Sequence, residues 1–120
     1  MGKQPNVLWI CTDQQRYDTI GALGNVHAQT PVLDQFVGEG VCFEMAFCQS
    51  PVCSPSRASF LTGRYPRTTG CRQNGQTIPK DEVLVSKLFR NAGYQCGLAG
   101  KLHLASCSDG KVEERTDDGY

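Results

Sequence analysis

The stretch Cys53-Ser54-Pro55-Ser56-Arg57-Ala58-Ser59-Phe60-Leu61-Thr62-Gly63-Arg64 reads as a turn running into a helix with both ends marked. Ser54 is a good N-cap, since its hydroxyl can accept from an amide that the first turn leaves unpaired. Pro55 suits the first helical position, where its missing N–H is an orphan anyway. Gly63 tolerates positive φ and predicts the stop. Cys53 then stands just upstream of a helix N-terminus, where backbone N–H groups and the macrodipole favour negative charge. Cys-x-Pro-x-Arg occurs by chance about once per few tens of thousands of positions at ordinary residue usage.

Around this segment the chain alternates in type. Residues 7–12 form a short, nearly continuous apolar run closed by Thr12-Asp13-Gln14-Gln15-Arg16, the pattern of a buried strand. After a loop holding Gly21, Gly24 and Asn25, Thr30 as N-cap and Pro31 at the first position predict a helix to about Val37. Its apolar face would carry Val32, Leu33, Phe36 and Val37. Residues 41–47 predict a second strand, and residues 65–79, rich in Gly, Thr, Asn, Gln and Pro, a loop. A helix from about Asp81 to Ala92 would turn Leu84 and Leu88 to the core, possible neighbours being Val85 and Phe89, and stop at Gly93. Residues 94–99 predict another buried strand ending in the turn Gly100-Lys101-Leu102-His103. Strands alternating with helices imply an α/β layer architecture with a largely parallel sheet. From Ser106 the pattern dissolves, and the chain is expected to end before its domain does.

Composition sets bounds on this reading. The 120 residues suffice for one modest domain. Twelve basic and twelve acidic side chains cancel, which points away from nucleic acid and membrane surfaces as partners. The apolar run at 7–11 is too short for a signal peptide core or a membrane span, so the chain reads as cytoplasmic. Seven cysteines, at 11, 42, 48, 53, 71, 96 and 107, are an odd number without an export signal. Buried free thiols, with Cys11 and Cys96 inside apolar stretches, are the expected state of most. No Cys-x-x-Cys pair occurs, which argues against a zinc ribbon.

Chemistry-bearing residues collect where such folds bind ligands. Asp13 follows one predicted strand, and Lys101 and His103 follow another, at the carboxyl ends where open α/β sheets hold ligands. Cys53 lies at a helix N-terminus with Arg57 four residues on. A carboxylate suits a hard divalent cation, and Arg and Lys suit an oxyanion. Singly each has a plain structural reading: Asp13 as a turn former, Cys53 as a small buried hydrophobe, Arg57 as a solvated helix side chain.

Taken together the residues resemble one family. Cys53-x-Pro55-x-Arg57 is similar to the motif of the type I sulfatases, in which the cysteine is oxidised to formylglycine. Asn6-Val7-Leu8-Trp9-Ile10-Cys11-Thr12-Asp13 resembles their opening strand and first metal aspartate, and Thr30-Pro31-Val32-Leu33-Asp34 their Thr-Pro-Asn-Leu-Asp helix start. Gly93-Tyr94-Gln95-Cys96-Gly97-Leu98-Ala99-Gly100-Lys101-Leu102-His103 resembles their second signature, with Cys96 in place of a hydroxyl residue. The resemblance implies an alkaline-phosphatase-like α/β/α sandwich, of which residues 1–120 would be the N-terminal part. It implies Asp13, Gln14 and the modified Cys53 as ligands of Ca²⁺ or Mg²⁺. Arg57 would support the aldehyde hydrate, and Lys101 and His103 would contact it or the sulfate. Many sulfatases carry Asp-Asp where this chain has Asp13-Gln14, and an amide oxygen reaches a hard cation without supplying charge.

The implied reaction releases inorganic sulfate from a sulfated small molecule or carbohydrate. One hydroxyl of the hydrated aldehyde attacks sulfur and expels the alcohol; the second lets the sulfated carbon collapse by C–O cleavage and restores the aldehyde. A formylglycine-generating or sulfatase-maturing enzyme is the implied partner. Phosphonate or phosphate ester hydrolysis, known in the same superfamily, is the alternative activity. An inactive truncated fragment is the non-enzymatic alternative.

Overall fold

A computed structural model describes residues 4–106, 113 and 117–120. The chain divides into two units, Met1–Ala46 and Phe47–Tyr120. Among the described residues no helix is long and apolar enough to cross a membrane.

In the first unit, two 3-10 turns, Tyr17–Thr19 and Gly21–Leu23, lead to helix α1, Pro31–Glu39. Pro31 opens α1 as the sequence predicts, and the helix runs two residues past Val37. Thr30 precedes it, but its hydroxyl does not cap a helix amide. It accepts from the Gly21 N–H at 2.8 Å and donates to Asp34 Oδ1 at 2.8 Å. Asp34 Oδ1 also accepts from the Ala22 N–H at 2.8 Å. Positions i and i+4 share a helix face, so Thr30 and Asp34 together fasten the second turn onto the start of α1. The predicted apolar face is only partly covered: Leu33 and Val37 are half-buried, whereas Val32 and Phe36 are exposed.

The second unit holds α2, Cys53–Thr62, then α3, Pro66–Thr69, and α4, Val85–Asn91. Its core is Ala58 and Leu61 of α2 with Cys71, Leu84, Leu102 and Leu104; Phe60, Ile78 and Leu98 pack at its edge. Gly63 and Gly93 take φ of 68° and 90° and end their helices as predicted. The Arg64 Nη1 holds both carboxylate oxygens of the buried Glu82, at 3.0 and 3.1 Å, linking the end of α2 to the approach of α4. The end of the chain lies against α4. Arg90 pairs with Asp117, the Ser86 hydroxyl donates to the Asp118 carbonyl, and Gly119 (φ 91°) passes close to the backbone of Ser86 and Lys87.

Several expectations are corrected. Residues 7–12, 41–47 and 94–99 form no strand among the described residues, and Val7, Leu8, Trp9 and Ile10 are exposed, Leu8 to 83%. A strand exists through its ladder and a buried one needs layers on both faces; an apolar run specifies neither by itself. α2 begins at Cys53 with Val52 as N-cap, so Ser54 and Pro55 lie inside the first turn. α4 begins at Val85, not near Asp81. Leu84 caps it and is buried, whereas Leu88 is 57% exposed: Leu84 stands outside the helix in extended backbone (φ −85°, ψ 149°), so the i, i+4 rule that would pair it with Leu88 does not apply. The predicted loop at 65–79 contains α3. Of the thiols, Cys71 is buried, Cys53 and Cys96 are half-buried, and Cys11, Cys42 and Cys48 are exposed. Cys107 and most of the segment after Ser106 lie outside the described residues.

Candidate active site

α2 places Cys53 at its first position, half-buried, after an extended Val52 (φ −101°, ψ 141°). One first-turn amide that the helix leaves without a partner is that of Ser54, and it donates to Asn74 Oδ1 at 3.0 Å. Asn74, in the Gln73-Asn74-Gly75 turn, is thus a cap supplied from twenty residues away. Ser54 is fully buried, and its hydroxyl oxygen has no hydrogen-bond partner among the described residues. Leaving a buried hydroxyl unsatisfied costs about 1–3 kcal/mol. The residue beside the candidate nucleophile therefore carries an unmet hydrogen-bonding capacity.

Arg57, one turn along α2, is buried to 8% exposure, and its Nη1 donates to the Lys101 carbonyl at 2.5 Å. That bond joins the cysteine motif to the Gly-Lys-x-His motif. Leu102 and Leu104 enter the core, while Lys101 is exposed and His103 half-buried. The alternation expected of an extended segment is kept in burial, but the backbone departs from it: His103 has φ 59°. Glu113 accepts from the backbone N–H groups of His103, Leu104 and Ala105. Neither Asn74 nor Glu113 stood out in the sequence. One lies in an ordinary polar turn, and the other in a Glu-Glu pair of the kind that covers surfaces.

In the first unit, Asp13 and Gln14 are exposed just after the apolar run at 7–12, and Gln14 has φ 55°. Among the described residues Gln14 and His103 are the two non-glycine positions with positive φ. Left-handed backbone costs a side-chain-bearing residue of order 1–3 kcal/mol and concentrates at functional sites. Both fall on residues that sequence motifs had already singled out. The carboxylate of Asp13 and carboxamide of Gln14 are oxygen donors suited to a hard divalent cation. Among the described residues, no group of three His, Cys, Asp or Glu gathers to hold an ion.

The fold and motifs agree with comparison to known proteins. The Sulfatase family model matches residues 5–119. The chain is 42% identical over 101 residues to an ulvan-active sulfatase of Formosa agariphila, covering 84% of this chain and 20% of that protein. It is 38% identical over 118 residues to the steryl-sulfatase of Rattus norvegicus, covering 88% and 20%. The crystal structure of YidJ of Bacteroides fragilis, a presumed sulfatase, superposes with a TM-score of 0.76 at 32% identity, covering 85% of this chain and 24% of that one. The chain belongs to the sulfatase family. It spans about one fifth of the length of the curated relatives it matches.

Proposed function

We propose that the chain is the N-terminal portion of a sulfatase catalytic domain, acting on a sulfated small molecule or carbohydrate with residue 53 as formylglycine. The observation that carries this is the Arg57 bond to the Lys101 carbonyl, which fastens the two family motifs to each other within one unit. The family's parallel sheet forms part of the reading. Residues 7–12, 41–47 and 94–99 would be its strands once the sheet is complete, and the exposed apolar side chains of the first two runs are surface that a sheet covered on both faces would bury.

Oxidised by a maturing enzyme and hydrated, residue 53 would supply two hydroxyls on one carbon, one to attack sulfur and one to let sulfate leave. Asp13 and Gln14 would hold Ca²⁺ or Mg²⁺, which when bound polarises an oxygen of the transferring group. The chain's own side chains do the rest. The Lys101 ammonium lies at the surface, where it can meet the oxygens of an incoming sulfate, spreading the charge of the transferring group. The His103 imidazole carries the proton between the hydrate and the departing alcohol. Arg57, buried and bonded to Lys101, sets the distance between these groups.

The test is twofold. Peptide mass spectrometry on protein made with a maturing enzyme should find the Cys53 peptide about 18 Da lighter, thiol having become aldehyde. The modified full-length enzyme should then release sulfate from aryl or carbohydrate sulfates faster than phosphate from the matched esters. A preference for phosphate or phosphonate esters would move the chain to the neighbouring hydrolases of the superfamily. Full activity with an unmodified thiol would overturn the assignment of Cys53.

A further inference from the structure

Three successive amides converge on the Glu113 carboxylate, a group to which the proposed chemistry gives no role. The His103 N–H donates to Glu113 Oε2 at 2.8 Å, and the N–H groups of Leu104 and Ala105 donate to Glu113 Oε1 at 2.5 and 3.0 Å. Consecutive backbone N–H groups turned toward a common point form an anion-binding nest, and a residue in left-handed conformation is what curves the chain into one. Here that residue is His103, at φ 59°. Hydrogen bonds to an ionised acceptor are roughly twice as strong as neutral ones. Three of them can hold a backbone conformation that a histidine would otherwise leave.

The other side of the segment is fixed independently. Leu102 and Leu104 are buried in the core, and the Leu104 carbonyl accepts from the Ile78 N–H at 3.0 Å. The core thus sets where the segment lies. Leucine burial alone would equally allow an extended backbone at 103, which would send the imidazole elsewhere.

We propose that Glu113 is the positioning residue of His103: its carboxylate fills the nest formed by residues 103–105 and holds the left-handed backbone that directs the imidazole. For its consequence in catalysis this rests on the functional reading above; the nest itself does not.

Residue-resolved amide hydrogen exchange on the full chain tests it directly. In Glu113→Ala the amides of 103, 104 and 105 should exchange at least about tenfold faster, the loss of roughly one net hydrogen bond each, while the Gly63 amide at the end of α2 keeps its rate. Glu113→Gln has the same shape but turns one acceptor oxygen into a donor. It should therefore release at least one of the three amides, a change that a packing role would not produce. If Glu113→Ala fails to fold, Glu113→Gln decides. Unchanged exchange at all three amides in the folded variant overturns the proposal.

In the sulfate-releasing enzyme, kcat should fall more than KM rises for Glu113→Ala. The His103→Ala/Glu113→Ala double variant should turn over no more slowly than His103→Ala alone, because Glu113 acts through His103. Additive losses would overturn the proposal. An unsubstituted enzyme that released no sulfate would count against the functional reading instead, and the exchange rates would still decide this one.

Discussion

The Arg57 guanidinium reaches the Lys101 backbone across a separation of 44 residues and donates to its carbonyl. A positive charge in the middle of a helix is ordinarily solvated, yet this side chain is only 8% exposed. The arginine of the cysteine motif thereby sets the geometry of the second motif, and its loss would be felt at Lys101 and His103 before it was felt at Cys53.

Arg57→Ala should destabilise the second unit by about 1.5–3 kcal/mol, as the bond from a charged donor to the Lys101 carbonyl is lost. Arg57→Lys keeps the charge but not the planar fork and should lie between the two. Urea unfolding curves with unchanged slope would supply the numbers. A loss below about 0.5 kcal/mol for Arg57→Ala would mean the carbonyl finds water as a substitute.

Asp13→Asn in the full-length enzyme should weaken Ca²⁺ binding and depress activity, since it removes the formal charge from a hard-cation donor pair. Gln14→Ala removes only a neutral oxygen and should cost less. Calorimetric titration with Ca²⁺ ranks the two. Undiminished affinity in Asp13→Asn would reduce Asp13 to a turn former.

Burial pushes the Cys71 thiol pKa above its ordinary value. The native state therefore binds its proton more tightly than the unfolded chain does. The stability this contributes is fully present below the unfolded thiol pKa, about 8.5, and is lost as pH rises through the higher folded value. Iodoacetamide at pH 8 should label the exposed Cys11, Cys42 and Cys48 first and leave Cys71 until the unit unfolds. Rapid labelling of Cys71 under native conditions would show that the second unit opens locally around α3.

Gly119→Ala should release the end of the chain from α4. A Cβ there would sit 2.5 Å from the Lys87 amide nitrogen, and the φ of 91° is strained for any L side chain. The Asp117 pKa, held below its ordinary value by the Arg90 side-chain hydrogen bond, should then rise as that bond loosens. Carboxylate titration by NMR reads this without an activity assay. An unmoved Asp117 would mean the ion pair holds without Gly119.

Local chemistry made parts of this structure legible. Gly63 and Gly93 end helices because positive φ is open to glycine, and Pro31 begins one because its ring presets the angle; both facts are properties of single residues. Motif order singled out the two segments that the bond from Arg57 to the Lys101 carbonyl joins. What escaped notice depends on partners distant in sequence. Asn74 caps α2 from another turn, Glu113 reaches back to amides ten residues earlier, and the apolar runs at 7–12 and 41–47 could not reveal whether a ladder neighbour was at hand. Start and stop signals at α2 were right in kind, but Ser54 fell inside the helix, since the chain enters it two residues sooner than the predicted start at Pro55.

The left-handed backbone at Gln14 and His103 has a bearing on any attempt to engineer this protein. Gln14→Gly and His103→Gly would each relieve the local strain, and a screen that rewards thermal tolerance alone would favour them. Both changes would remove a side chain the proposed chemistry uses. Directed evolution for robustness would thus drift toward a sturdier protein with an emptied site, unless every round also demanded turnover.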